Sequence, residues 1–218
     1  MLQMPDGSIG LPIQARTMRK VAKGRREHMT GHFVFGPDEG TAMDFESHTE
    51  LQVGLVMLSR ADVVELENQV PFGWKDDTGT TNLHHFDYRA TMRDGRRTAI
   101  FVKAEFRLQS DRLCKELATI ASQVTPDFAD HVVIMTEEDL DPIEAFNANL
   151  LHEVRRPDPI ADAAARRVTW DLFGAANIAE LVEEIGLDGQ GFRALVRLVR
   201  SRDLELTHPL DSNIKCNG

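Results

Sequence analysis

The sequence predicts an α/β fold, in which helices flank a mixed sheet and a small helical unit follows. As far as about residue 153, apolar residues alternate between strand spacing and helix spacing in the order β-β-α-β-β-β-α-β-α. At RRPDP, residues 155–159, the composition shifts, and the later segments have helix spacing. We therefore expect a basic N-terminal arm over residues 1–30, an α/β domain over 31–156 and a helical domain over 157–218.

The first half of the α/β domain contains two short strands, a helix and two strand pieces. Residues 32–35 and Thr41–Phe45 predict strands on either side of the turn GPDEG. Ser47 is the expected N-cap of the helix, and Glu50, three residues later, completes a capping box. Residues 63–66 and 69–74 predict strand pieces at a sheet edge, because Pro71 cannot donate a ladder hydrogen bond.

The second half begins with the clearest β signal in the chain. Residues 83–92 and 98–106 flank the turn RDGRR and predict a hairpin. An amphipathic helix over 110–124, an apolar strand at His131–Met135 and a helix over 136–153 follow. In the last domain, residues 160–172, 177–185 and 191–201 predict helices, and residues 204–207 predict a small strand.

Composition indicates a globular protein of the cytoplasm. Hydrophobic residues make up 42% of the 218 residues, enough to bury a core without metal or disulfide crosslinks. No apolar run reaches membrane-spanning length, and the first residues lack the pattern of a signal peptide. The two cysteines are far apart and have no metal-binding spacing, so a reducing compartment is expected.

The charge is unevenly distributed. A net charge of −10 argues against simple nucleic-acid binding, but the segment from Arg16 to Arg26 is basic and contains no acidic residue. Such an arm can bind DNA phosphates by releasing counterions, or it can be a solvated segment. The candidate phosphate contacts are Arg19, Lys20, Arg25 and Arg26.

Two carboxylates and a lysine suit metal-assisted hydrolysis of a phosphodiester. Glu50 lies at the start of the predicted helix, Asp87 in the first hairpin strand and Lys103 in the second. If register and parity permit, the hairpin brings Asp87 and Lys103 to one face. Carboxylates bind Mg²⁺, and the lysine can orient the attacking water or offset developing charge. By residue type alone, the same groups could instead form a surface salt bridge.

Sequence segments around these residues resemble the TnsA family, the endonuclease subunits of heteromeric transposases. FESHTE at 45–50 is similar to the ES-x-x-E start of that family's nuclease helix. VELENQVP at 64–71 is similar to its V-x-x-x-x-x-Q-P strand, with Val70 interposed. HHFDY at 84–88 resembles its T-P-D-F acidic strand, and IFVK at 100–103 its V-x-x-K strand.

The resemblance extends to VVIMTEEDLDPIEAFNAN at 132–149, which is similar to the strand, T-E-x-x-(I/L) turn and Asn-bearing helix that close the family's core. It covers about residues 15–155. It implies a PD-(D/E)XK, restriction-endonuclease-like fold that cuts DNA at the 5′ ends of a mobile element. It also implies two partners, a DDE transposase subunit for the 3′ ends and an AAA+ ATPase regulator.

The resemblance also assigns roles to single residues. Glu50 and Asp87 would be ligands of Mg²⁺, for which Mn²⁺ can substitute, and Lys103 would be the catalytic lysine. Glu46, one helical turn before Glu50, is an alternative first ligand.

One position departs from the family pattern. Two residues before the lysine the family has Gln or Glu as a further ligand, whereas this chain has Phe101. Glu105 is the candidate replacement, because residues 101, 103 and 105 of one strand would share a face. The Val102 carbonyl is another candidate, and loss of activity is the remaining explanation.

The C-terminal residues 177–208 have the pattern of a winged helix. One helix ends at Gly186, and a short turn containing Gly189 follows. The next helix carries a basic face suited to phosphates or a groove, made by Arg193, Arg197, Arg200 and Arg202. The segment LELTHPL would be the wing, and DNA and a protein partner are both open as its target.

The expected function is therefore a Mg²⁺-dependent DNA endonuclease acting in transposition. The alternatives are a catalytically inactive DNA-binding or assembly subunit with the nuclease fold, and a restriction or repair nuclease of the same fold.

Overall fold

The computed structural model describes residues 2–3, 9–15, 29–36 and 39–206, and the chain divides into two compact units between Asp141 and Pro142. The candidate arm residues Arg19, Lys20, Arg25 and Arg26 lie outside the described residues. In the described part of the chain, no helix has the length and apolar character needed to cross a membrane.

The first unit begins with short strands. Strand β1 (Leu2–Gln3) pairs antiparallel with β2 (Ile9–Gly10). Strands β3 (Ile13–Gln14), β4 (Gly31–Phe35) and β5 (Thr41–Phe45) form a sheet in the order β3-β5-β4, with β3 parallel and β4 antiparallel to β5. The predicted strands around GPDEG are thus confirmed, in a sheet separate from the central one.

Helix α1 (His48–Ser59) starts where the sequence predicts. The Ser47 hydroxyl accepts a hydrogen bond of 3.1 Å from the backbone N–H of Glu50, which confirms the N-cap. The Glu50 carboxylate reaches one residue further back than an ordinary capping box, accepting 2.8 Å from the backbone N–H of Glu46. The start of α1 is therefore fixed by the side chain that is also the first candidate metal ligand.

The central sheet has four strands in sequential order. They are β6 (Val63–Lys75), β7 (Thr81–Met92), β8 (Arg97–Val102) and β9 (His131–Met135). The first three are antiparallel and β9 is parallel to β8, so the sheet is mixed as predicted. The two expected strand pieces are one strand, β6, and Pro71 lies on this edge strand as expected.

Helices cover both faces of the central sheet. Tyr88 is paired with Ile100 across β7 and β8, and its hydroxyl contacts the start of α1. Ala99 and Phe101 alternate with Ile100 and pack against helix α2 (Asp111–Ser122). The α/β prediction, a mixed sheet flanked by helices, is therefore confirmed at this level.

The side-chain alternation of β7 changes at Asp87. Phe86 packs in the cluster on the α2 side, whereas Tyr88, two residues later, faces α1. In a regular strand these two residues would share a face. Across the ladder, between the pairs Val70–Phe86 and Asn68–Tyr88, buried Gln69 has a left-handed φ of 50°. Asp87 thus sits at a local distortion, just beyond the last β7–β8 pair.

One predicted strand ends earlier than expected, and one predicted helix begins later. The second hairpin strand was predicted to reach residue 106, but β8 ends at Val102 and Glu105–Gln109 form a 3-10 helix. Its neighbour β9 ends at Met135, so the Glu105 N–H bonds the Glu137 carboxylate instead of a strand. The helix predicted over 136–153 is a short turn followed by α3 (Pro142–Glu153), because a proline favours the first helical turn and disfavours helix before it.

The second unit is helical. It contains α3, α4 (Pro159–Thr169), α5 (Ile178–Ile185) and α6 (Asp188–Ser201). Its core consists of Ala161, Ala165, Leu181, Ile185, Ala194, Leu195 and Leu198. Because α3 contacts α6, this unit starts ahead of the boundary after residue 156 that composition indicates.

The wing predicted after the last helix has no strand in its described part. Residues 204–206 are irregular, and residue 207 onward lies outside the described residues. Gly186 ends α5 as predicted, with φ 70°, a conformation that glycine adopts without strain. The next helix, α6, begins at Asp188 and not at residue 191, so Gly189 lies in the helix and not in the predicted turn.

Candidate active site

Asp87 and Lys103 form an ion pair at the end of β8. Oδ2 of Asp87 accepts a hydrogen bond of 2.7 Å from the backbone N–H of Val102 and one of 3.1 Å from the Lys103 ammonium. The Lys103 ammonium also donates to the Val102 carbonyl at 2.8 Å. The side chains are 12% and 21% exposed, so the pair is largely shielded but reachable. The prediction that the hairpin brings these two residues together is confirmed.

Glu50 reaches the same place from the start of α1. The residue is 8% exposed, and the Ser47 hydroxyl donates to its Oε1 at 3.1 Å. Its backbone carbonyl accepts a hydrogen bond of 2.9 Å from the buried Tyr88 hydroxyl, next to Asp87 in sequence. Helix α1 is thereby tied to the distorted part of β7.

The carboxylates of Glu50 and Asp87 are close enough for the charge of one to shift the pKa of the other. Burial, followed by the negative charge of Asp87, raises the pKa of Glu50 from 4.5 to about 7, although hydrogen bonds from Glu46 and Ser47 oppose the rise. Burial, with the charges of Glu50 and Asp87, also raises the pKa of Tyr88, so its hydroxyl remains a donor. Two carboxylates held together in a shielded place form an arrangement that a cation would stabilise.

The donor set fits a hard cation that keeps part of its water. Among the described residues, both hydrogen bonds to Asp87 are accepted by Oδ2, so the lone pairs of Oδ1 are available to a ligand. Mg²⁺ is commonly held by one or two carboxylates and several waters. In the same part of the chain, no three His, Cys, Asp or Glu side chains are grouped as a complete protein-only metal site.

Glu105 does not lie on the strand face where it was predicted. Since β8 ends at Val102, residue 105 belongs to a 3-10 helix and does not share a strand face with Lys103. The Val102 carbonyl, the other candidate, accepts a hydrogen bond from the Lys103 ammonium. The structure therefore brings Glu50, Asp87 and Lys103 together. The third metal ligand that was expected from β8, Glu105, does not lie on that strand.

Phe101 is a core residue. Its ring is 1% exposed and lies 4.5 Å from the ring of Phe86 and 5.1 Å from His84, measured between centroids. It packs with Leu117 and Ile120 of α2, on the sheet face opposite Tyr88 and Ile100. A side chain in this place supports the hydrophobic core, and a carboxylate there would be buried among aromatic rings.

The helical unit places its two candidate DNA contacts differently. Arg193 is exposed, and its guanidinium lies 3.5 Å from the Glu153 carbonyl oxygen. Arg197 is only 12% exposed, and its Nε donates to Asp162 at 2.6 Å. The expectation of an open basic face carrying both residues is wrong for Arg197, because the side chain is held between α4 and α6.

Sequence reasoning missed Tyr88 and the backbone N–H of Val102. The tyrosine was within the predicted strand, but its bond to α1 joins residues far apart in sequence and leaves no local pattern. Ser47, by contrast, was identifiable from the capping box. Comparisons with protein-family models and with curated proteins found no match to this chain.

Proposed function

We propose that the chain is a Mg²⁺-dependent DNA endonuclease resembling TnsA, with a restriction-endonuclease-like core and a winged-helix-like tail. In this proposal it cuts at the 5′ ends of a mobile element, together with a DDE transposase subunit and an AAA+ ATPase. One observation carries the proposal: the α1 carboxylate of Glu50 and the Asp87–Lys103 pair of the hairpin meet at one end of the central sheet.

Each of these side chains has a role suited to phosphodiester hydrolysis. Asp87 and Glu50 would hold Mg²⁺, which when bound polarises the phosphate and activates water. Asp87 fixes the Lys103 ammonium, whose donors can orient that water or bind a phosphate oxygen. Tyr88 ties α1 to β7 and so holds Glu50 near Asp87.

A plasmid-nicking assay tests the proposal. Wild-type protein with Mg²⁺ or Mn²⁺ is expected to nick DNA, and Asp87→Asn to abolish nicking, since a charged ligand is lost. Lys103→Ala is expected to lower cleavage while calorimetry still detects Mn²⁺ binding. Asp77→Asn, at an exposed position away from these residues, is the matched control and is expected to cut normally. Equal cleavage by Asp87→Asn and Asp77→Asn would exclude this site.

A non-catalytic assembly subunit is the second candidate. It is favoured by the local use of both Glu50 oxygens, one bonded by Glu46 and the other by Ser47. If the wild type binds DNA but does not cut it, even with the transposase and ATPase present, this candidate replaces the first. A restriction or repair nuclease would instead cut without those partners and independently of element ends.

A further inference from the structure

The helical unit contains a pocket in which half of the lining residues are arginines. Its volume is about 270 Å³, and its walls come from the α3–α4 connection, α4 and α6. The residues lining it are Arg155, Pro157, Asp162, Arg166, Arg197, Leu198, Arg200 and Ser201. Four arginines face one aspartate, so the pocket carries an excess of positive charge.

One arginine of this pocket is incompletely paired by the acidic groups around it. Asp162 is paired with Arg197 through Nε, yet Nη2 of Arg197 is buried and has no hydrogen-bond partner among the described residues. Arg166 lies 3.7 Å from Asp203, a loose and exposed contact. A buried guanidinium nitrogen without an acceptor is costly, which points to an anion that accepts from it.

The pKa values of two neighbouring basic side chains, Arg200 and His152, are lowered in part by the positive charge around them. Although Arg200 is exposed as a residue, partial desolvation of its guanidinium and then the charge of Arg155 lower its pKa. Burial, then the charges of Arg155 and Arg200, lowers the pKa of His152. Folding has therefore concentrated like charges here, and a bound anion would stabilise the arrangement.

We propose that this pocket binds one phosphate group of a DNA strand, an inference that rests on the proposed action on DNA. A volume of about 270 Å³ suits a single compact anion better than a peptide segment. All the cationic Lys or Arg positions between residues 142 and 206 are arginines, whose planar forks match phosphate oxygens. Exposed Arg167, beside Arg166, and exposed Arg193 could meet adjoining phosphates. Arg197 thus serves as part of the pocket wall rather than as part of an open helix face.

The first test uses inorganic phosphate and the full chain. Thermal unfolding is followed while sodium phosphate replaces sodium chloride at constant ionic strength. The wild type is expected to gain stability saturably, and Arg200→Gln to bind phosphate about tenfold more weakly or worse, because one charge-assisted contact is lost. Arg167→Gln, which removes the same charge outside the pocket lining, is the matched control and should bind as the wild type does.

Arg200 is exposed, so its substitution should leave the fold intact, and Arg166→Gln repeats the test from α4. The absence of a saturable phosphate effect overturns the proposal. So does a loss in Arg167→Gln as large as that in Arg200→Gln.

The second test identifies the source of the phosphate. Binding of a DNA duplex is measured in EDTA over a range of salt concentrations, so that cleavage plays no part. Arg200→Gln is expected to reduce the salt slope by about one, the value for one phosphate contact. An unchanged slope, with inorganic phosphate still bound, assigns the pocket to an anionic group on a protein partner and overturns the DNA assignment. Because the assay contains no metal, neither result depends on the nuclease proposal.

Discussion

Replacing Glu50 by glutamine separates a metal ligand from a purely structural cap. Glutamine has nearly the same shape and also occurs at this position of capping boxes, so it can keep an acceptor toward the Glu46 N–H and a donor toward Ser47. What it removes is a charge that is buried next to Asp87. The substitution therefore changes electrostatics with little change in packing.

The expected effect follows from the pKa of Glu50, which folding raises from 4.5 to about 7. Because the folded state holds the proton more tightly, the stability of the wild type falls as the pH rises from about 4.5 to about 7, and this contribution is constant outside that window. At about 1.4 kcal/mol per pH unit, the full change is about 3 kcal/mol. Because the hydrogen bonds of the glutamine amide to Glu46 and Ser47 can be weaker than those of the carboxylate, Glu50→Gln should be about 1 to 3 kcal/mol more stable than the wild type at pH 8.

Urea unfolding at pH 4.5, 6 and 8 in EDTA measures this difference. Glu116→Gln, on the exposed face of α2, is the matched control and should show no such pH-dependent gain. Replacing EDTA by Mg²⁺ at pH 8 should stabilise the wild type more than Glu50→Gln, since the variant keeps only Asp87 of the two charged ligands. The reasoning is refuted if Glu50→Gln is less stable than the wild type at pH 8, or if the difference between them does not vary with pH.

Three further predictions concern other parts of the molecule. Phe101→Glu should lower the free energy of unfolding in urea by at least about 3 kcal/mol and should not restore a metal ligand, because it places a carboxylate among buried rings. A variant that is as stable as the wild type and gains DNA nicking would contradict this. Gly54→Ala should lower the free energy of unfolding by about 1 to 3 kcal/mol, since its Cβ would lie 2.6 Å from the Tyr88 hydroxyl oxygen. Gly73→Ala, whose Cβ would have nothing within 4 Å, should lower it by less, and equal unfolding midpoints for the two variants would contradict this. Replacing the basic arm residues by alanine should weaken DNA binding and lower its salt slope by about one per lost contact, and an unchanged slope would assign the arm to solvent or a protein partner; the residues are Arg19, Lys20, Arg25 and Arg26.

The parts of the fold set by local chemistry were predictable. Strands Thr41–Phe45 and His131–Met135 have their expected bounds, because short apolar runs between turn residues leave few alternatives. The N-cap at Ser47 followed from side-chain chemistry within one turn. The bounds of these elements depend on residues that are close in sequence, so they can be predicted from a single sequence.

The end of β8 depends on a distant part of the chain. Residues up to 106 have strand composition, but a strand needs a partner, and β9 ends at Met135. Beyond Lys103, whose N–H bonds the Met135 carbonyl, the backbone turns into a 3-10 helix. Glu105 was placed on the strand because its local sequence has strand composition, whereas the length of β8 is set by its distant partner β9.

Three unfavourable features coincide at the candidate site, and their coincidence is informative. Buried Gln69 adopts a left-handed φ that costs about 1 kcal/mol or more for a residue other than glycine. Across from it, the alternation of β7 changes at Asp87, and the pKa of Glu50 is raised beside the same carboxylate. A helix cap alone requires none of these, since a solvated Ser47–Glu50 pair would hold α1 without facing Asp87. The proposed divalent-cation site beside Lys103 would require ligands presented in a fixed geometry, and this requirement would account for a strained backbone and a destabilised carboxylate at one place.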